Sequence, residues 1–95
     1  MRIRIKENSL IARMAAWKLK SGRMAIVFGK TIYLHNVSRE EFLENQRWVK
    51  HELEHIRQYR RYGLIPFIIR YLIENAKNGY SNNKYERQAR TAEEY

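Results

Sequence analysis

Cysteine is absent from this chain of 95 residues, and so is aspartate. Without cysteine there is no disulfide, no thiolate metal site and no cysteine nucleophile. Without aspartate, any carboxylate that binds a ligand or carries a proton is one of the ten glutamates. A disulfide-free domain of this size fits a reducing, cytoplasmic setting. No apolar stretch approaches the ~20 residues of a membrane-crossing helix. The longest, Leu64 to Ile73, is interrupted by Arg70. The N-terminal Met1-Arg2-Ile3-Arg4-Ile5-Lys6 is charged at every second position and lacks the apolar run of a signal peptide. Proline occurs once and glycine four times, so each marks a boundary. With no repeat, linker or low-complexity tract, residues 1–95 read as a single domain with one modest core.

What is present in excess is positive charge: 19 Lys and Arg against 10 acids, a net +9. That balance is compatible with a soluble basic surface. It also fits affinity for nucleic acid, anionic lipid or acidic peptide.

Along the chain, Ile3 and Ile5 alternate with Arg2, Arg4 and Lys6 as in a half-buried strand. Asn8 or Ser9 can cap a helix with an apolar stripe of Leu10, Ile11, Met14, Ala15 and Trp17, stopped by Gly22. Trp17 and Trp48 read as core residues. Met24 to Phe28 and Thr31 to His35 are strand-like, and Gly29-Lys30 between them suits a type II′ hairpin turn. Ser38 and Glu41 have capping-box spacing, and Arg39 to Tyr62 then reads as one long helix ended by Gly63. Pro66 opens another helix, dense in apolar residues, whose expected role is core packing. It stops near Gly79. Lys84 to Glu94 reads as a short polar last helix.

The long helix contains His51-Glu52-Leu53-Glu54-His55. This is HExxH, in which two imidazoles separated by one helical turn reach the same metal ion. The Glu beside the first His lies where it can take a proton from zinc-bound water. At about 100° per residue the helix divides into three faces. Phe42, Val49, Leu53 and Ile56 form a core stripe, and Arg47, Lys50, Glu54, Arg57 and Arg61 a solvated one. His51, Glu52 and His55 share a third sector with Trp48 and Tyr59.

Catalytic zinc normally takes three protein ligands and a water. Gln58 and Arg61 stand where a metzincin continuation would place glycine and histidine. The third ligand is therefore His35 or one of Glu74, Glu86, Glu93 and Glu94. Glu86 is the best placed, because the turn before it can fold its helix back onto the motif helix. It also has capping-box spacing from Asn83, so satisfying a backbone N–H is an equal reading of that spacing.

The pattern His51-Glu52-x-x-His55-x-x-Gln58, Gly63, Arg70-Tyr71-Leu72, Gly79-Tyr80 and Asn83-x-Tyr85-Glu86-x-x-Ala89 resembles the minigluzincins. These are minimal zinc-peptidase scaffolds similar to the catalytic domains of certain integral-membrane peptidases. The likeness covers roughly residues 24–92. It implies Zn²⁺ on His51, His55 and Glu86, Glu52 as general base, and a peptide or protein substrate. It also implies an α+β fold: a backing helix, a small, mostly antiparallel sheet with a hairpin, a long active-site helix and two further helices, one carrying the ligand glutamate. Substrate would add as a strand along Thr31, Tyr33 and His35, taken as the exposed edge of the sheet. The oxyanion donor would be Tyr80 or Tyr59, with His35 and Arg90 as alternatives. Latency belongs to the same resemblance, with Tyr95 or a neighbouring molecule's terminus in the cleft.

A reading of a different class is a basic module for nucleic acid or an anionic surface, with a structural or vestigial metal site. Its features are the net charge and the run Arg57-Gln58-Tyr59-Arg60-Arg61-Tyr62.

Overall fold

The computed structural model describes residues 3–95, so Met1 and Arg2 of the expected first strand lie outside it. The fold is α+β. Its order is β1 (Arg4–Lys6), α1 (Leu10–Leu19), β2 (Met24–Phe28), β3 (Thr31–His35), α2 (Arg39–Glu44), α3 (Gln46–Tyr62), α4 (Leu64–Asn82) and α5 (Lys84–Ala92).

The three strands form one mixed sheet in the order β1-β3-β2. The hairpin is as expected: β2 and β3 pair antiparallel, Phe28 opposite Thr31. Gly29 takes φ +66 at the turn, the first central position of a type II′ turn, which an L side chain resists. β1 pairs parallel to β3, with Ile5 opposite Ile32. Thr31–His35 is therefore the central strand and not the exposed edge, because both of its sides are hydrogen-bonded. Among the described residues the edge strands are β1 and β2.

Val27, Ile32 and Leu34 from the sheet, Val37 and Phe42 from the following segment and Ile56 from α3 make the core. Val49 and Leu53 pack around it, as their stripe on α3 implies, and so do Trp48 and Tyr59 from the sector of the histidines. A second, aromatic cluster joins the last three helices. Phe67 lies 4.6 Å from Tyr59 and 5.0 Å from Tyr85 between ring centroids. Phe67 and Tyr85 are almost fully buried.

Four further expectations are corrected. The stretch from Arg39 to Tyr62 is two helices, broken at Asn45 (φ −92, ψ 88), whose side chain accepts from the Trp48 N–H and starts α3 afresh. An Asn side chain that caps competes with helix continuation. At the end of α1 it is Lys20, at φ 56, and not Gly22 that takes the left-handed cap. α1 also faces the other way: Ala12 and Ala16 are buried, while Trp17, taken as core, is 83% exposed. On α4 only Phe67 is fully buried, and Ile65, Ile69, Leu72 and Ile73 face outward. Periodicity locates an apolar stripe but not its partner, and in a small domain small residues can take the inner face. No described helix is long and apolar enough to cross a membrane.

Candidate metal centre

The site is built where α3 and α5 meet. The aromatic cluster fixes their relation, because Tyr85 in its centre immediately precedes Glu86. Asn83 caps α5 by accepting from the Tyr85 N–H at 2.9 Å. Its amide nitrogen donates to the Tyr71 carbonyl at 3.2 Å, tying the start of α5 to α4. The cap thus uses Tyr85 and leaves the Glu86 carboxylate free for the site.

His51 Nε2 and His55 Nε2 each lie 3.1 Å from the same oxygen, Glu86 Oε1. The donor atoms of the three side chains lie within 4.8 Å of one another. Tyr71, on α4, donates its hydroxyl to the other carboxylate oxygen, Glu86 Oε2, at 2.5 Å. One oxygen is thereby held outward while the other faces the histidines.

The outer nitrogens of both imidazoles are also engaged. His51 Nδ1 is 2.7 Å from Glu93 Oε2 and His55 Nδ1 is 2.9 Å from Gln58 Oε1. Gln58 directs its amide nitrogen to the Tyr85 carbonyl and to Gln88 Oε1, both at 3.0 Å. A main-chain carbonyl only accepts, so the amide orientation is set and Oε1 faces His55 as an acceptor. In its neutral form His55 therefore carries its proton on Nδ1, and its Nε2 is the nitrogen available inward. His51 is arranged in the same way by a carboxylate. Such outer partners orient metal-binding histidines and raise their basicity.

The charges support this geometry. Burial works against a charged His51, but its hydrogen bond to Glu86 and the nearby Glu52 carboxylate raise its pKa to about 9. His55 is raised against burial by the same Glu86. Burial works against a charged Glu86 too, yet the hydrogen bonds from His51 and His55 hold it well below the usual carboxylate range. The cluster therefore demands positive charge at its centre, from protons or from a cation. Two imidazoles and a carboxylate fit a divalent ion such as Zn²⁺ in their donor chemistry.

Glu52 is buried beside them. Burial raises its pKa to about 7, against the opposing pull of His55 and His51. It lines an open cleft of about 770 Å³ with His51, Trp48, Tyr80, Glu93 and residues of β2, including Met24 and Ala25. Tyr80, 44% exposed on the cleft wall, is pushed up to about 12 by its partial burial first and by Glu86 and Glu52 next.

Of the expected site residues, His51, Glu52, His55, Glu86 and Tyr80 come together. Tyr59 does not: its hydroxyl donates to the Val27 carbonyl at 3.1 Å, inside the core. Thr31, Tyr33 and His35 lie on the central strand, away from a free edge, and the strand bordering the cleft is β2. Arg90 donates to the Ser81 carbonyl. Glu93, named among possible ligands, instead holds His51. Tyr95 is 84% exposed and lines a separate groove between α3 and α5, so the chain's own last residue does not occupy the cleft. In the basic run on α3, Tyr59 and Tyr62 pack against Phe67, and the guanidinium groups of Arg61 and Arg70 lie over the Tyr62 ring at 5.5 and 4.6 Å. Tyr71 was missed as a site residue. Its signal in the sequence is a hydroxyl one helical turn beyond the buried Phe67 on the same face of α4.

No protein-family model matches the chain, and neither a curated protein nor a solved structure matches it.

Proposed function

We propose that the chain is a zinc-dependent metallopeptidase of the gluzincin type, in which Glu52 moves the proton. One observation carries this reading: His51 and His55 converge on a single oxygen of Glu86, with the buried Glu52 beside them. Zn²⁺ held by His51, His55 and Glu86 would supply the Lewis acid that makes water a nucleophile near neutral pH.

The other roles belong to side chains of this protein. Glu93 and Gln58 hold the imidazoles with Nε2 inward. Tyr71 restrains Glu86. Burial raises the Glu52 carboxylate to about 7 in the metal-free protein, a range in which a group both accepts and returns a proton efficiently near neutral pH. It takes a proton from the attacking water and delivers it to the nitrogen of the leaving amine. Tyr80 remains protonated on the cleft wall and is the donor available to the developing oxyanion. The free edge of β2 beside the cleft offers main-chain hydrogen bonds to an extended peptide.

Native mass spectrometry of the zinc-supplemented wild type should find one zinc per chain, weakened in Glu86→Ala. Glu52→Ala should keep the zinc and lose peptide hydrolysis. A wild type that takes up no zinc would remove the reading, and full hydrolysis by Glu52→Ala would remove the mechanism.

A further inference from the structure

The larger apolar residues of α1 point into solvent. Leu10 is 69% exposed, Ile11 53%, Met14 63% and Trp17 83%, while the buried residues are Ala12 and Ala16. At about 100° per residue Leu10, Met14 and Trp17 fall on one narrow stripe and Ile11 adjoins it. Isolated exposed apolar residues are ordinary, but a contiguous stripe of four ending in tryptophan marks a surface that something covers.

The charges around the stripe limit what that is. Arg13 and Lys18 flank it on opposite sides, and Lys20 stands at its C-terminal end, all exposed. α1 itself contains no acidic residue. A second copy docking face to face would set these cations against themselves. A surface that accepts apolar side chains and presents negative charge matches both features. An anionic lipid leaflet does so: the apolar residues enter the boundary between headgroups and acyl chains, and tryptophan favours that depth. The long Lys and Arg side chains reach back to the phosphates. With ten residues, α1 can lie in the plane of such a surface and cannot cross it.

We propose that α1 docks the protein onto anionic membrane surfaces through Leu10, Ile11, Met14 and Trp17, with Arg13, Lys18 and Lys20 at the rim.

Co-sedimentation of the full chain with phosphatidylglycerol–phosphatidylcholine vesicles, and with pure phosphatidylcholine vesicles, tests this. Binding is expected to the anionic vesicles, to weaken with added salt, and to be marginal on the neutral ones. The double variant Leu10→Ser/Met14→Ser and the single variant Lys18→Glu should each lose at least about tenfold in apparent affinity. All three positions are exposed, and unchanged circular dichroism confirms that the variants fold. Trp17 emission should be quenched by brominated acyl chains. Equal binding to neutral vesicles, or undiminished binding by the double variant, overturns the proposal. So does loss of binding only in Ile69→Ser/Leu72→Ser, which would move the surface to α4. Absence of vesicle binding together with a dimer mass by light scattering would assign the stripe to a second copy.

Discussion

His55 Nδ1 lies 2.9 Å from Gln58 Oε1, one turn further along the same helix, and both residues are buried. Gln58 is also bonded to the Tyr85 carbonyl, immediately before Glu86. One side chain therefore sets the tautomer of one donor and the position of the next. Gln58→Leu should weaken zinc binding roughly 10- to 100-fold. It also leaves a buried carbonyl short of a partner, at a cost of about 1–3 kcal/mol. Competition titration against a chromogenic chelator measures the first effect and urea denaturation the second. Unchanged affinity would show that Gln58 does not orient His55.

Tyr71→Phe removes one hydroxyl and keeps the ring that packs on Phe67. The lost bond is to a carboxylate, so stability should fall by about 1.5–3 kcal/mol. Glu86 Oε2 would then be free to rotate toward the histidines, and zinc affinity should drop about tenfold. Isothermal titration on both proteins decides it. Wild-type affinity in Tyr71→Phe would make the contact purely structural.

Phe67→Ala should be the most damaging single truncation on α4, at roughly 3–5 kcal/mol. Phe67 is 2% exposed and touches the rings of Tyr59, Tyr62, Tyr71 and Tyr85. Ile69→Ala, at a position 52% exposed, should cost far less. Denaturant midpoints of the two variants give the comparison, and similar losses would mean that α4 buries its aliphatic stripe in solution.

Without metal, the pH dependence of stability follows from four groups, of which His55, raised like His51, also loses its contribution as pH rises. The His51 contribution is complete below its ordinary value of 6.5 and is lost as pH rises through about 9. Glu86 is depressed, so its contribution is present above 4.5 and disappears in acid. Glu52 is raised by burial, and its contribution to stability fades as pH rises through about 7. Chelator-treated protein should therefore be most stable in weak acid, with Tm falling from about pH 6 to about pH 9. Zinc should flatten that decline by taking the place of the protons. A Tm that rises over the same range in chelator would contradict the charge arrangement.

The motif residues were legible because helical spacing is rigid: His51 and His55 must share a face whatever the tertiary structure does. Glu86 was legible only as one of several candidates, because its distance from the histidines depends on how α4 turns the chain back. The sequence contains no direct sign of that turn beyond Gly63 and Gly79, both at positive φ in the structure. The hairpin could be read from Gly29. The order of the sheet could not, since nothing local shows that β1 pairs with β3 and makes it central. Asn45 hid its break because the apolar period runs on across it. The outward stripes of α1 and α4 were read as core for the same reason: an amphipathic pattern shows which residues share a face and is silent on what that face meets.

Ala12 and Ala16 make the inner side of α1 thin. Burying two methyl groups contributes on the order of 1–2 kcal/mol, against about 5–15 kcal/mol for a whole domain. The aromatic cluster and the paired imidazoles lie on other helices and do not depend on α1. In hydrogen exchange the amides of α1 should therefore open well before those of α3 and α5, as a separate cooperative unit. The helices that hold the paired imidazoles and the helix that bears the exposed apolar stripe would then open separately. Each could change through evolution or by design with little effect on the other.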